Sequence, residues 1–156
     1  MNQAHLHLLV NHLPIVGTYI SVIVLIAGFL LKNSTVKNTG LSLLVLAALF
    51  AIPAQLTGEG AEEILEATGQ ASHDLIEAHE DAAVWGLWFS IGAGVIALIS
   101  LIASIRKHSY AKGLIILSTA LAIFCSTIWI RIGNSGGEIR HSEIRSGFTP
   151  TVEEEH

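Results

Sequence analysis

The chain has 156 residues, 51% of them apolar and only 13% charged, with a net charge of −5 and a mean hydropathy of +0.60. That is too apolar for an ordinary soluble domain, and too short for a membrane bundle plus a second domain. It holds no basic groove, glycine-rich phosphate loop or aromatic–basic interleaving, which argues against nucleic-acid and nucleotide binding.

No Asp, Glu, Lys or Arg occurs in 13–31, 41–56, 82–105 or 113–130, and each run is near the length that crosses a bilayer as a helix. The sequence predicts an all-α integral membrane four-helix bundle, up-down-up-down, over 1–133. A polar tail, 134–156, is expected to fold at the outer face. The first span is placed at about 13–31, because Pro14 lacks an N–H and suits a first helical turn. Residues 5–12 are then extra helix before a kink, or an interfacial segment. The run lacks a basic leader and a small-residue cleavage pattern, so it reads as a retained span rather than a signal peptide.

The second span is placed at about 40–57, with Pro53 bending or ending it. Beyond it Glu59, Glu62, Glu63 and Glu66, with Ile64 and Leu65 on one side, read as a short amphipathic helix leading to the third span. The third span is placed at about 76–105 and the fourth at 111–131. In the third, His79, Gly86, Ala93 and Ser100 recur every seven residues, with Ala83, Ser90 and Ala97 between them. Gly40, Ala47, Ala51, Ala54 and Gly58 make a similar strip on the second. Small residues at such spacing let helices approach closely in lipid, and they turn His79 into the bundle. Cys125, the single cysteine, falls in the last span and reads as a small apolar packing residue.

The connections 32–37 and 106–112 carry five of the eight Lys and Arg, and none lies between 38 and 105. The positive-inside rule puts both connections in the cytoplasm, with both termini on the periplasmic side of a bacterial inner membrane. All thirteen Asp and Glu, and every histidine but His108, then gather at that outer end. The gathered groups are His5, His7, Asn11 and His12; the acids 59–66; His73, Asp74, Glu77, His79, Glu80 and Asp81; and the stretch 136–145. His5 and His73 read as ordinary interfacial histidines, and Glu62, Glu66, Asp74 and Glu153–Glu155 as a solvated acidic face. His12 and His79, nearest the hydrocarbon, each need a partner there. Imidazoles bind Zn, Cu, Fe and haem iron, and carboxylates add oxygen ligands or orient a ligating histidine.

The run His7-Leu8-Leu9-Val10-Asn11-His12-Leu13-Pro14-Ile15 resembles the opening of the bacterial membrane domain family of unknown function 2231. Thr57-Gly58, His79, Gly136-Gly137 and His141 follow in that family's order, so the resemblance covers nearly the whole chain. It implies an architecture similar to small four-helix membrane cytochromes, electron-transfer proteins as company, and His7, His12, His79 and His141 as site histidines. The dense acids Glu59, Glu63 and Glu80, and the tail Arg140-His141-Ser142-Glu143-Ile144-Arg145, depart from the family pattern.

Three functions stand open at this level. The first is a redox protein binding haem b, with His12 and His79 as the axial pair and Arg140 and Arg145 meeting the propionates. The second is a non-haem Zn, Cu or Fe site built from His7, His12, His79 and His141 with Glu59, Glu63 or Glu80. The third is an accessory subunit of a larger membrane complex, with no cofactor. Expected partners are membrane lipid and respiratory or electron-transfer proteins, not nucleic acid; homo-oligomerisation is left open, and no stand-alone enzyme activity is implied.

Overall fold

The computed structural model describes residues 2–69 and 72–149; Glu153–Glu155 and His156 fall outside them. Its helices are α1 (Gln3–Val10), α2 (His12–Leu30), α3 (Ser34–Ala67), α4 (His73–Ile105) and α5 (Ala111–Arg140), followed by a 3₁₀ turn at Ser142–Ile144. With α1 and α2 running nearly end to end across Asn11, four helical rods are long and apolar enough to cross a membrane. The protein is an all-α, multi-pass membrane bundle. Each rod packs on its neighbours in the chain, and α2 closes the ring against α5.

The ends of the rods follow from local chemistry. Asn2 and Asn33 cap α1 and α3 by accepting backbone N–H groups, from His5 and from Thr35 and Val36. Lys32 (φ 50°) and Lys107 (φ 56°) end α2 and α4 in the left-handed region. There Asn33 and His108 donate back to the carbonyls of Gly28 and Ala103, six-to-one closures that satisfy otherwise orphaned groups.

The small-residue faces are where the periodicity put them. Gly86, Ser90, Ala93, Ala97 and Ser100 are buried on α4, as are Gly40, Ala47, Ala51 and Ala54 on α3. Gly94 makes the closest approach of these two helices: a Cβ there would stand 2.5 Å from the Cβ of Ala48. At the basic end hydroxyls tie the rods together. Ser100 and Ser118 share a 2.8 Å hydrogen bond between α4 and α5, and Ser21 donates to the Gly40 carbonyl across α2 and α3. Cys125 is buried, as a packing residue should be.

Two expectations are corrected. Pro53 does not end the second span: α3 runs on through it to Ala67, so the separate amphipathic helix is instead this helix's last third. The continuation is held by α1, whose Gln3 lies against Gly60 so closely that no Cβ fits between them. The third rod, expected to rise from the polar stretch near Ser72 into the 76–105 span, begins at His73. The fourth does not stop near 131: α5 continues to Arg140, because Ile132 and Ile139, two turns apart on one face, are both buried. The tail from 134 is therefore helical for its first two turns.

Candidate cofactor site

All four polar clusters meet at one end of the bundle, around a cavity of about 400 Å³ with largely apolar walls. His7 enters it from α1 and His79 from α4. Both rings are held by Nδ1, and the hydrogen bonds fix which nitrogen carries the proton. His7 Nδ1 lies 3.0 Å from the Ala54 carbonyl, which can only accept, so Nδ1 is the donor. Thr57 Oγ1, 3.3 Å away, gives its own proton to the Pro53 carbonyl at 2.7 Å and so also accepts from His7.

His79 repeats the arrangement with different parts. Its Nδ1 lies 3.0 Å from Ser135 Oγ, and that hydroxyl donates to the Ile132 carbonyl at 3.0 Å. Ser135 therefore accepts from the ring. Each neutral imidazole is left with its lone pair on Nε2, the nitrogen the protein does not hold. Histidines that ligate metals are oriented in this way by a carbonyl or hydroxyl on the other ring nitrogen.

Glycine makes room for the His79 ring: a Cβ on Gly136 would come within 2.9 Å of Cε1 and 3.5 Å of Nε2, whereas one on Gly58 would meet His7 at ordinary contact distance. Below the rings Ala51, Ala83, Leu87 and Trp129 form the apolar floor. Two polar atoms of the lining are buried and unpaired: Asn11 Oδ1 and Trp129 Nε1. Both atoms are sealed from the cavity space, and each such unpaired group costs about 1–3 kcal/mol.

The expected site residues divide. His12, His141, Glu59, Glu80 and Arg140 line the cavity beside His7 and His79, whereas Glu63 and Arg145 do not. His12 lines the cavity but is exposed, at the start of α2, whereas His7 and His79 are part-buried. His141 sits at the mouth, its side chain 60% exposed, with Nδ1 2.8 Å from Glu143. The Glu143 carboxylate is held below the usual range, first by its own backbone N–H and then by His141. Arg145 does not face the cavity: its Nε donates to the Glu138 carbonyl at 2.7 Å and its Nη2 to that of Ile139 at 3.2 Å. It caps α5, whose last carbonyls lack helical partners.

Glu62, read as a solvated acid, lines the mouth and meets Glu80 side chain to side chain. His73 pairs with Glu66 at 2.6 Å on the exposed joint of α3 and α4, away from the cavity, and His5 is exposed on α1. Among the described residues no three His, Cys, Asp or Glu side chains converge as a metal-holding group. Three imidazoles that line the cavity, His7, His79 and His141, are held at Nδ1.

The chain matches no protein-family model, no curated protein and no solved structure.

Proposed function

We propose that this protein is a membrane electron-transfer protein that holds a haem non-covalently between His7 and His79. The observation that carries the reading is the matched pair of rings: two neutral imidazoles on different helices, each fixed through Nδ1, sharing one apolar-walled cavity. Haem iron takes two such ligands, and of the three cavity imidazoles held at Nδ1 these two are part-buried, whereas His141 is 60% exposed at the mouth. Arg140, in the cavity lining, offers a cation where propionates would emerge. The sole cysteine lies in the core, so covalent attachment through thioether bonds is not part of the reading. Haem b is the simplest group of this class.

Bound there, the group would supply one-electron chemistry at iron. The chain's own part is to present both Nε2 lone pairs, keep the rings from rotating, and exclude water with the apolar floor. We further propose that the chain is a divergent member of the family of unknown function 2231, that it exchanges electrons with respiratory proteins, and that its polar end faces the periplasm. The last point rests on the Lys and Arg gathered in the two short connections.

The deciding experiment is an absorption spectrum of the purified chain after haem-replete expression and after titration with haemin. A low-spin Soret band that is lost in His7→Ala and in His79→Ala, but kept in His12→Ala, is expected. A wild-type protein that takes up no haem by either route overturns the reading.

A further inference from the structure

A groove of about 430 Å³ lies on the outer surface of the bundle at the basic end, between α2 and α5 and away from the imidazoles. Lys112, Ile116, Thr119 and Ile123 recur every three or four residues, so they form one stripe of α5, and Phe29 lines the groove from α2. The stripe covers about 16 Å of helix rise. Ala120 leaves it shallow-walled at mid-length, and the Thr119 hydroxyl donates within its own helix, to the Ile115 carbonyl at 2.8 Å. The groove is therefore apolar along its length and charged at one end, by the Lys112 ammonium. A second ammonium, that of Lys37, stands 5.4 Å from the centre of the Phe29 ring. No carboxylate answers either. Every Asp and Glu among the described residues lies in 59–81 or 138–143, at the cavity end, whereas Lys32, Lys37, Arg106, Lys107 and Lys112 lie in or beside the two connections at this end. Tyr110, 57% exposed and stacked on His108, sets this end at headgroup depth, where amphipathic aromatic rings settle.

We propose that this groove binds one anionic phospholipid, with an acyl chain along the α5 stripe and the headgroup phosphate on Lys112. The two ends of the groove name the occupant: a length of hydrocarbon below, and above it a cation whose counter-charge the chain does not supply. A zwitterionic lipid meets only the first demand, because its headgroup brings its own cation. The inference is independent of the haem reading, since the groove shares no residue with the cavity.

The test is native mass spectrometry of the full chain, released from detergent containing equal amounts of phosphatidylglycerol and phosphatidylcholine with the same acyl chains. Wild type is expected to retain one phosphatidylglycerol with about fivefold preference, the worth of one lysine beside an anionic headgroup. Lys112→Gln, at an exposed position, abolishes the preference, whereas Arg106→Gln, the same charge change outside the groove, keeps it. Ala120→Phe fills the groove with every cation in place and lowers the uptake of both lipids. If Ala120→Phe fails to fold, the comparison of Lys112→Gln with Arg106→Gln decides. No preference in wild type, equal losses in Lys112→Gln and Arg106→Gln, or wild-type uptake by a folded Ala120→Phe overturns the inference: the attraction is then absent, or is spread over the basic end without a site.

Discussion

Ser135 Oγ stands 3.0 Å from His79 Nδ1 and gives its own proton to the carbonyl of Ile132, so toward the ring it can only accept. One hydroxyl thereby chooses the tautomer of a histidine on another helix. Ser135→Ala removes that choice without touching Nε2. Haem affinity is expected to fall about 10- to 100-fold, as for other residues that orient a ligating histidine, while the fold is retained. Haemin titration followed at the Soret band, beside a circular dichroism spectrum, measures both.

Gly136 tests the space beneath the ring rather than its hydrogen bond. A methyl there intrudes to 2.9 Å from His79 Cε1, so Gly136→Ala must push the imidazole off its place. Gly113→Ala, on the same helix but with nothing within 4 Å of its Cβ, is the matched control. Weakened haem uptake in the first and wild-type uptake in the second are expected. Equal behaviour of the two would show that the ring does not lie on Gly136.

The Gly94–Ala48 contact carries no chemistry and bears on stability alone. Gly94→Ala forces α3 and α4 apart, at a cost of about 1–3 kcal/mol typical of an overpacked core. The Ser100–Ser118 bond makes a gentler case: Ser118→Ala should lose about 0.6 kcal/mol, the average found for hydrogen bonds between membrane helices. Unfolding of both variants in mixed micelles with a denaturing detergent ranks them.

The turn after α5 should respond to acid. Glu143 has its pKa lowered from 4.5 in the folded state, so its contribution is complete above that value and disappears as the pH falls through the lower, folded pKa. The 3₁₀ turn is expected to hold at neutral pH and to loosen only in acid below the ordinary carboxylate range. Methyl NMR shifts of Ile144, whose side chain packs over Gly137, report the loosening, and Glu143→Gln should remove its pH dependence.

The four rods were legible because membrane spans announce themselves by uninterrupted apolar length, and the seven-residue recurrence from His79 to Ser100 was legible because helical period maps directly onto faces. What escaped depended on backbone groups that have no letter. The partner of His7 is the carbonyl of Ala54, and nothing in the alanine marks it as an acceptor. His7 and His12, five residues apart, stand about 140° apart around a helix, which fits one being part-buried and the other exposed. Pro53 looks like a bend or a stop, and the fourth span is placed only to 131, where the uncharged run ends. In the bundle, packing against α1 and burial of Ile132 and Ile139 carry both helices further. Arg145 looked like a propionate partner by charge and position, but the bare carbonyls at the end of α5 lie nearer.

Beneath the cavity Leu25, Leu41, Leu44, Ala97, Ile115 and Ala122 form a solid plug drawn from all four rods. This packed half closes the cavity off from the basic end, so a group bound against the imidazoles would have no route to that end through the core of the bundle.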